Sequence, residues 1–230
     1  MIRISNLNSY YGRSHILHEV SLEVPTGTIV TVIGRNGVGK TTLLKTIMGL
    51  TDRATGSIML DDRELIGAPT FERARAGIAY VPQGREIIPD FTVEENILMG
   101  GFASDGKRAI PEMVAELFPY LIENLDRPGG LLSGGQQQQL AIARGLAARP
   151  KVLLLDEPTE GIQPNLVALI ERTISVLNEQ FGISILLIEQ NVEFARKASH
   201  HMVILEKGEV VASMPASEMT EEITSKYVAI

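Results

Sequence analysis

The sequence predicts an α/β fold with a mostly parallel core sheet, an antiparallel β subdomain at the N-terminus and a helical insertion. Continuous apolar runs are typical of parallel strands covered on both faces, and such runs occur at 29–33, 152–155 and 184–188. Residues 20–24 instead alternate apolar and polar side chains, as half-buried strands do. No strand pattern occurs between about 90 and 150, so we expect the helical insertion there.

The other strands are predicted from the same two patterns and from turn signals between them. Pro25-Thr26-Gly27 and Asp61-Asp62 give turns, and Lys207-Gly208 separates two apolar segments that can pair as a hairpin. The predicted strands cover 2–7, 19–24, 28–33, 56–60, 78–81, 152–155, 184–188, 202–205 and 209–214.

Helices are predicted where apolar residues recur every three or four positions beside start or stop signals. Thr92 and Glu95 form a capping box, Gly49 ends the first helix, and Pro119 disturbs the segment 110–124. The predicted helices cover 40–50, 70–76, 92–99, 110–124, 137–148, 164–180, 191–199 and 216–230.

The composition excludes several classes of protein. The net charge is −7 and no long basic run occurs, so the sequence shows no nucleic-acid footprint. There are no cysteines, which excludes disulfides and thiolate metal sites and fits a reducing cytosol. The longest apolar runs are far shorter than the ~20 residues that a bilayer requires. If the protein serves a membrane process, we expect another chain to supply the spans.

A phosphate-binding loop follows the strand at 29–33 and precedes an apolar helical run. Its pattern is Gly-x-x-x-x-Gly-Lys-Thr, in which glycines let successive backbone N–H groups face an anion. Lys40 can reach the β- and γ-phosphates, and the Thr41 hydroxyl can bind Mg²⁺. The loop residues are Gly34, Arg35, Asn36, Gly37, Val38, Gly39, Lys40, Thr41 and Thr42. The sequence therefore predicts a bound nucleoside triphosphate.

Two carboxylates end the apolar run at 152–155. Asp156 can hold Mg²⁺ through water. Glu157 points elsewhere because side chains alternate along a strand, so it can act as general base on a water. The alternative is a pair of solvated acids, which the nearby phosphate loop disfavours.

Three further side chains are candidates whose position leaves alternatives open. Gln83 follows a strand, where ligands bind in open α/β sheets; it can complete a Mg²⁺ shell or hold the attacking water, although position alone favours an ordinary loop glutamine. Tyr11 can stack on a base or be a half-buried residue at a strand end. Gln190 follows the strand at 184–188 and can sense a γ-phosphate.

A second helix start suited to anions lies at Ser133-Gly134-Gly135-Gln136. Ser133 is a good N-cap residue, and the glycines let a ligand approach the backbone closely. The alternative is a plain capped helix. Because one mononucleotide needs only one phosphate cradle, a second cradle is informative.

Together these segments resemble the nucleotide-binding subunit of an ATP-binding-cassette (ABC) transporter, over nearly the whole chain. The most specific element is the segment 132–136 just before the strand that ends in Asp156 and Glu157. The resemblance implies a single ABC ATP-binding domain over 1–230. A nucleotide-binding core with the β subdomain would occupy 1–83 plus 150–230, and a helical subdomain would occupy 84–149.

The resemblance also implies a P-loop ATPase that uses ATP and Mg²⁺ as a head-to-tail dimer, with itself or with a paralogous ATPase subunit. Each ATP would lie between the phosphate loop of one subunit and the segment 133–136 of the other. By position, Tyr11 would stack on adenine and Gln83 would couple hydrolysis to the membrane partner. Asp156 would serve Mg²⁺ and Glu157 the catalytic water.

Two positions depart from the family pattern. Most members have a histidine at the position of Gln190 and an aspartate at the position of Gln163. Gln190 can donate a hydrogen bond to a γ-phosphate but cannot become charged. We therefore expect weaker γ-phosphate stabilisation in the site that it serves, and unequal sites in a heterodimer.

The segments 92–96 and 189–191 look like those of the branched-chain amino-acid importer group. Within it, 81–86, 136–139 and 157–164 look most like the urea-importer ATPase. The resemblance implies membrane permease subunits, a periplasmic solute-binding protein and a peripheral location on the cytoplasmic face of a bacterial inner membrane.

The expected function is import of a small polar solute, urea first, with branched-chain amino acids as the alternative. A soluble ABC ATPase acting on nucleic acid or the ribosome fits less well, because such proteins carry long coiled coils or two fused cassettes. We expect no nucleic-acid partner.

Overall fold

The computed structural model describes residues 1–103 and 109–227, so the last three residues of the predicted 216–230 helix lie outside it. Ten strands occur in this part of the chain: β1 Ile2–Tyr11, β2 Ser14–Val24, β3 Ile29–Ile33, β4 Arg53–Leu60, β5 Arg63–Glu64, β6 Ile78–Val81, β7 Val152–Asp156, β8 Ser184–Glu189, β9 His201–Glu206 and β10 Glu209–Pro215.

Nine α-helices connect or flank these strands in the described ranges: α1 Lys40–Met48, α2 Thr70–Ala76, α3 Val93–Gly100, α4 Glu112–Leu117, α5 Pro119–Glu123, α6 Gly134–Ala147, α7 Pro164–Glu179, α8 Val192–Ala198 and α9 Glu221–Tyr227. None of them is both long and apolar enough to cross a lipid bilayer.

The strands form two sheets. A six-stranded sheet has the order β10-β9-β3-β8-β7-β6, in which every neighbouring pair is parallel except the β9–β10 hairpin. A four-stranded antiparallel sheet has the order β2-β1-β4-β5. This arrangement confirms the predicted α/β fold, with its mostly parallel core sheet and antiparallel N-terminal sheet.

The side chains of the parallel strands alternate between two hydrophobic cores. Leu154 and Leu186 face α1 and the antiparallel sheet, so α1 lies between the two sheets. Leu153 and Leu187 face the opposite core, to which α3, α6 and α7 contribute. Burial on both faces explains why these strands are continuously apolar in sequence.

The first two strands are longer than the sequence predicts. They pair up to Tyr11 and Ser14, so Tyr11 ends β1 rather than lying in a connection between strands. Register shifts between Ile4 and Leu7 and again between Leu7 and Ser9 interrupt the alternation that marks a strand in sequence. The strand β5 was not predicted because its two residues are too few to show a sequence pattern.

The predicted helix at 110–124 is instead two short helices, α4 and α5. Phe118 separates them with φ −131° and ψ 59°, and Pro119 is the first residue of α5. A proline disfavours helical geometry in the residue before it and lacks an N–H group for the helix ladder. The predicted capping box of α3 is confirmed, because Thr92 and Glu95 bond reciprocally.

Candidate functional site

The phosphate loop connects the end of β3 to the start of α1. A Cβ on Gly34 would lie 2.3 Å from the carbonyl oxygen of Leu205, so only glycine fits there. The Lys40 side chain is 5% exposed, and its ammonium donates to the carbonyl oxygens of Gly34 at 2.9 Å and Arg35 at 3.0 Å. The loop therefore holds a buried positive charge against its own backbone.

Asp156, the last residue of β7, is held from two sides. The Thr41 hydroxyl donates to its Oδ1 at 3.0 Å, and the Tyr80 hydroxyl donates to its Oδ2 at 3.0 Å. Asp156 is only 1% exposed. Burial raises the pKa of the Asp156 carboxyl, and the two hydrogen bonds oppose that effect. The pKa of Tyr80 is raised, mainly by burial and to a smaller extent by the nearby Asp156 charge, so its hydroxyl remains a donor.

Glu157 lies where four segments meet. Its Oε1 is 3.4 Å from the Lys40 ammonium. Its Oε2 accepts from the amide nitrogens of Gln190 at 2.6 Å and Gln83 at 3.4 Å. The Gln83 amide also donates to Glu160 Oε2 at 2.7 Å. Since carboxylates only accept, these contacts fix which way both glutamine amides face.

The loop, Glu157 and Glu160 line a cavity of about 450 Å³. This volume lies in the range of small-ligand sites, roughly 300–1,000 Å³. Its lining residues are Ile16, Asn36, Gly37, Gly39, Lys40, Thr41, Thr42, Gln83, Glu157, Glu160 and Gln190. The structure thus brings together most of the phosphate loop and the three side chains proposed for catalysis, with Asp156 directly behind Thr41.

Several candidate residues lie outside this cavity. Gly34, Arg35 and Val38 belong to the loop without lining it, and Tyr11 at the end of β1 is 37% exposed. Of the described lining residues, none comes from the segment 133–136. A base-stacking role for Tyr11 thus stays a prediction.

The segment 133–136 caps helix α6. The Ser133 hydroxyl accepts from the Gln136 N–H at 3.4 Å, and Gln136 Oε1 accepts from the Ser133 N–H at 2.9 Å. The guanidinium of Arg85 lies beside Gly134 and donates to Gln137 Oε1 at 3.3 Å. Within one chain this second anion-suited helix start is therefore separate from the phosphate loop.

Three residues of the site were not predicted from the sequence. Glu160 returns to the cavity through a turn in which its N–H bonds the Glu157 carbonyl at 3.1 Å. Tyr80 pairs with Leu154 across parallel strands. Leu154 and Asp156 are two residues apart, so their side chains lie on the same face of β7, and this spacing is the sequence signal that places Tyr80 near Asp156. Ile16 reaches the cavity from β2, and no local sequence pattern predicts this contact.

The residues present fit ATP and Mg²⁺. Lys40 and the glycine backbone suit phosphates, while Asp156, Thr41 and Gln83 offer the oxygen ligands that Mg²⁺ prefers. Across residues 1–103 and 109–227, no group of three or more His, Asp or Glu side chains could hold a metal ion by itself. That suits Mg²⁺, which usually takes one or two carboxylates together with water and phosphate oxygens.

The family model described as ABC transporter matches residues 17–160. The chain is 44% identical over 213 residues to the high-affinity branched-chain amino acid transport ATP-binding protein BraG of Pseudomonas aeruginosa, covering 92% of this chain and 91% of that protein. It is 37% identical over 223 residues to the probable branched-chain amino acid transport ATP-binding protein LivF of Archaeoglobus fulgidus, covering 96% and 94%.

Among solved structures, the chain is similar to the dimeric post-hydrolysis state of the ATP-binding cassette MJ0796 bound to ADP and Pi. The TM-score is 0.81 at 27% identity, and the match covers 94% of this chain and 99% of that one.

Proposed function

Because this chain belongs to the ABC transporter family, in which it is an ATP-hydrolysing subunit, we propose that it powers uptake of branched-chain amino acids through separate membrane subunits. One observation carries the choice of solute. Two relatives that match over nine tenths of their length, BraG and LivF, are both named as branched-chain amino acid transport proteins.

Urea, expected first from sequence motifs, is the second candidate. BraG and LivF do not support it, because both are named for branched-chain amino acid transport. Three segments favour it nonetheless: 81–86, 136–139 and 157–164 look most like the urea-importer ATPase. An ATPase acting on nucleic acid or the ribosome is set aside, since the matched relatives are transport proteins.

We assign the catalytic roles from the geometry of the cavity. Lys40 and the backbone N–H groups of the phosphate loop bind the phosphates. Asp156, Thr41 and Gln83 would hold Mg²⁺, which would supply positive charge next to the phosphate oxygens. Glu157 takes a proton from the attacking water, and Gln190 orients its carboxylate through the 2.6 Å hydrogen bond.

A second ATPase subunit completes the site in this proposal. ABC ATPases work as dimers, and the MJ0796 cassette is dimeric in its ADP- and Pi-bound structure. The segment 133–136 lies apart from the cavity of its own chain, which is the arrangement that a head-to-tail dimer with itself or a paralogous subunit requires. Ser133 and the first N–H groups of α6 would then face the phosphates bound by the partner.

The membrane subunits would dock beside β6. A groove of about 380 Å³ there is lined by residues that include Met48, Ala74 and Met99. Phe71 and Phe102, at 57% and 59% exposure, lie on α2 and on the short turn that contacts it. Two large exposed aromatic side chains on neighbouring elements are suited to contact with another protein. This docking would place the chain peripherally, on the cytoplasmic face of the inner membrane.

The proposal is tested by reconstituting the chain with its membrane subunits, a second ATPase subunit where one is required, and a periplasmic solute-binding protein. ATP-dependent uptake of leucine and of urea is measured in the same vesicles, with Glu157→Gln as the inactive control. Leucine uptake without urea uptake supports the proposal. Urea uptake without leucine uptake overturns it in favour of the second candidate.

A further inference from the structure

Tyr80 spans the distance between the groove beside β6 and the nucleotide cavity. It lies on β6, the last strand of the six-stranded sheet. The residue lines the groove together with Met48, Ala74 and Met99. At its other end, the hydroxyl donates to Asp156 Oδ2 at 3.0 Å. A single side chain therefore contacts both the proposed docking surface and the carboxylate proposed for Mg²⁺.

The hydroxyl of Tyr80 fixes a carboxylate that is almost completely buried. Asp156 is 1% exposed, and its other oxygen accepts from Thr41 at 3.0 Å. The two donors come from different elements, α1 and β6, so together they set the plane of the carboxylate. Without the Tyr80 hydroxyl, Oδ2 would be a buried acceptor without that donor, and the carboxylate could rotate about its bond to Cβ.

We propose that Tyr80 is a positioning residue that orients Asp156 and passes movement of the groove's occupant to the nucleotide site. This inference rests on the proposed function, because it takes a membrane subunit as that occupant. A contact that displaces the half-buried ring shifts the hydroxyl, and with it the carboxylate that holds Mg²⁺. This route is separate from Gln83, which faces Glu157 and Glu160 instead.

If Tyr80 had a purely structural role, Tyr80→Phe should behave like the wild type. The ring packs against the core that α1 shares with the two sheets, and phenylalanine would keep that packing. Tyr80→Phe therefore removes only the hydroxyl and isolates the proposed role. Tyr120→Phe is the matched control. The Tyr120 hydroxyl also makes a hydrogen bond, accepting from Arg127 at 3.0 Å in the helical region, but Tyr120 does not line the nucleotide cavity.

The experiment uses the complete transporter. Because a hydrogen bond to a buried charge is lost, we expect Tyr80→Phe to lower kcat about tenfold and to raise the Mg²⁺ concentration for half-maximal activity. We expect the KM for ATP to change less than about twofold. Stimulation of ATPase activity by solute should fall towards the basal rate, whereas Tyr120→Phe should match the wild type.

Two readouts do not depend on turnover. Co-purification with the membrane subunits should be unchanged in Tyr80→Phe, since the ring still lines the groove. Mn²⁺ binding, followed by electron paramagnetic resonance with ATP in the Glu157→Gln background, should weaken. Wild-type Mn²⁺ binding and wild-type solute stimulation in Tyr80→Phe would overturn the proposal. If the wild-type complex imports urea instead of leucine, the proposed solute is wrong. The same measurements on Tyr80→Phe still decide the role of Tyr80.

Discussion

The amide nitrogen of Gln190 lies 2.6 Å from Oε2 of Glu157, so the side chain that replaces the family's usual histidine contacts the proposed catalytic base directly. A glutamine amide donates at every pH at which the fold survives, whereas an imidazole changes its donors as it titrates. The contact therefore indicates that Gln190 orients the base, in addition to the γ-phosphate role expected from the sequence.

Gln190→Ala should reduce ATP turnover. The substitution leaves Glu157 Oε2 with the longer contact from Gln83, at 3.4 Å, and the carboxylate loses its shortest hydrogen bond. We expect kcat to fall between about tenfold and a hundredfold, because hydrogen bonds to charged groups contribute roughly 1.5–3 kcal/mol. Single-turnover hydrolysis checks this. An unchanged rate, with Glu157→Gln inactive in the same assay, would show that Gln190 does not orient the base.

Glu160→Ala should release Gln83 from its shorter contact. Gln83 then has only Glu157 as a carboxylate partner, so its amide should close on the base and occupy an oxygen that the attacking water needs. We expect kcat to fall about fivefold to tenfold with little change in KM. Glu160→Gln keeps an acceptor oxygen and should restore most of the activity.

A double-mutant cycle tests the same contact. In a Gln83→Ala background, Glu160→Ala should have little further effect, because the two residues act as one pair. Full additivity of the two substitutions would contradict the contact. Glu193→Gln serves as the control for removing an acidic side chain, since Glu193 pairs with Lys197 on the surface of α8.

The stability of the protein should fall as the pH rises through the raised pKa of Glu189. This carboxyl is 3% exposed, and burial raises its pKa despite hydrogen bonds from the Thr159 hydroxyl and three backbone N–H groups. Because the folded state then holds its proton to higher pH than the unfolded state, the free energy of unfolding decreases with increasing pH above the ordinary value of 4.5.

Urea unfolding followed between pH 4.5 and 8 checks the effect of Glu189, whose ordinary pKa of 4.5 sets the lower limit. Glu189→Gln removes the titrating group and should flatten this part of the profile. Equal slopes in the variant and the wild type would show that Glu189 does not contribute.

Arg73 should be among the residues on which folding depends most. Its buried guanidinium donates to four backbone carbonyls between 2.8 and 2.9 Å, two of them at the C-terminal end of α1. Arg73→Met leaves those carbonyls without their donor, so we expect the free energy of unfolding to fall by about 3 kcal/mol or more. Chemical denaturation measures this loss. The control is Arg75→Met on the same helix, which should cost less than about 0.5 kcal/mol.

The parallel strands were predictable because strands buried on both faces are continuously apolar in sequence, as at 152–155. The phosphate loop was predictable because its chemistry is local in sequence. The contacts of Gln190, Glu160 and Tyr80 were not, since each joins segments that are distant along the chain. Likewise, bulges concealed the length of β1, because period-two reasoning assumes an uninterrupted register.

The position of β3 within its sheet has a mechanical consequence. β3 is bonded to β8 on one side and β9 on the other, whereas β6 pairs with β7 alone among the strands of residues 1–103 and 109–227. The phosphate loop therefore follows a strand that is paired on both sides, whereas Tyr80 lies on an edge strand and Gln83 follows that strand. In the proposed function a membrane subunit docks beside β6, so movement of that subunit would act first on this edge strand and not on the strand that carries the phosphate loop.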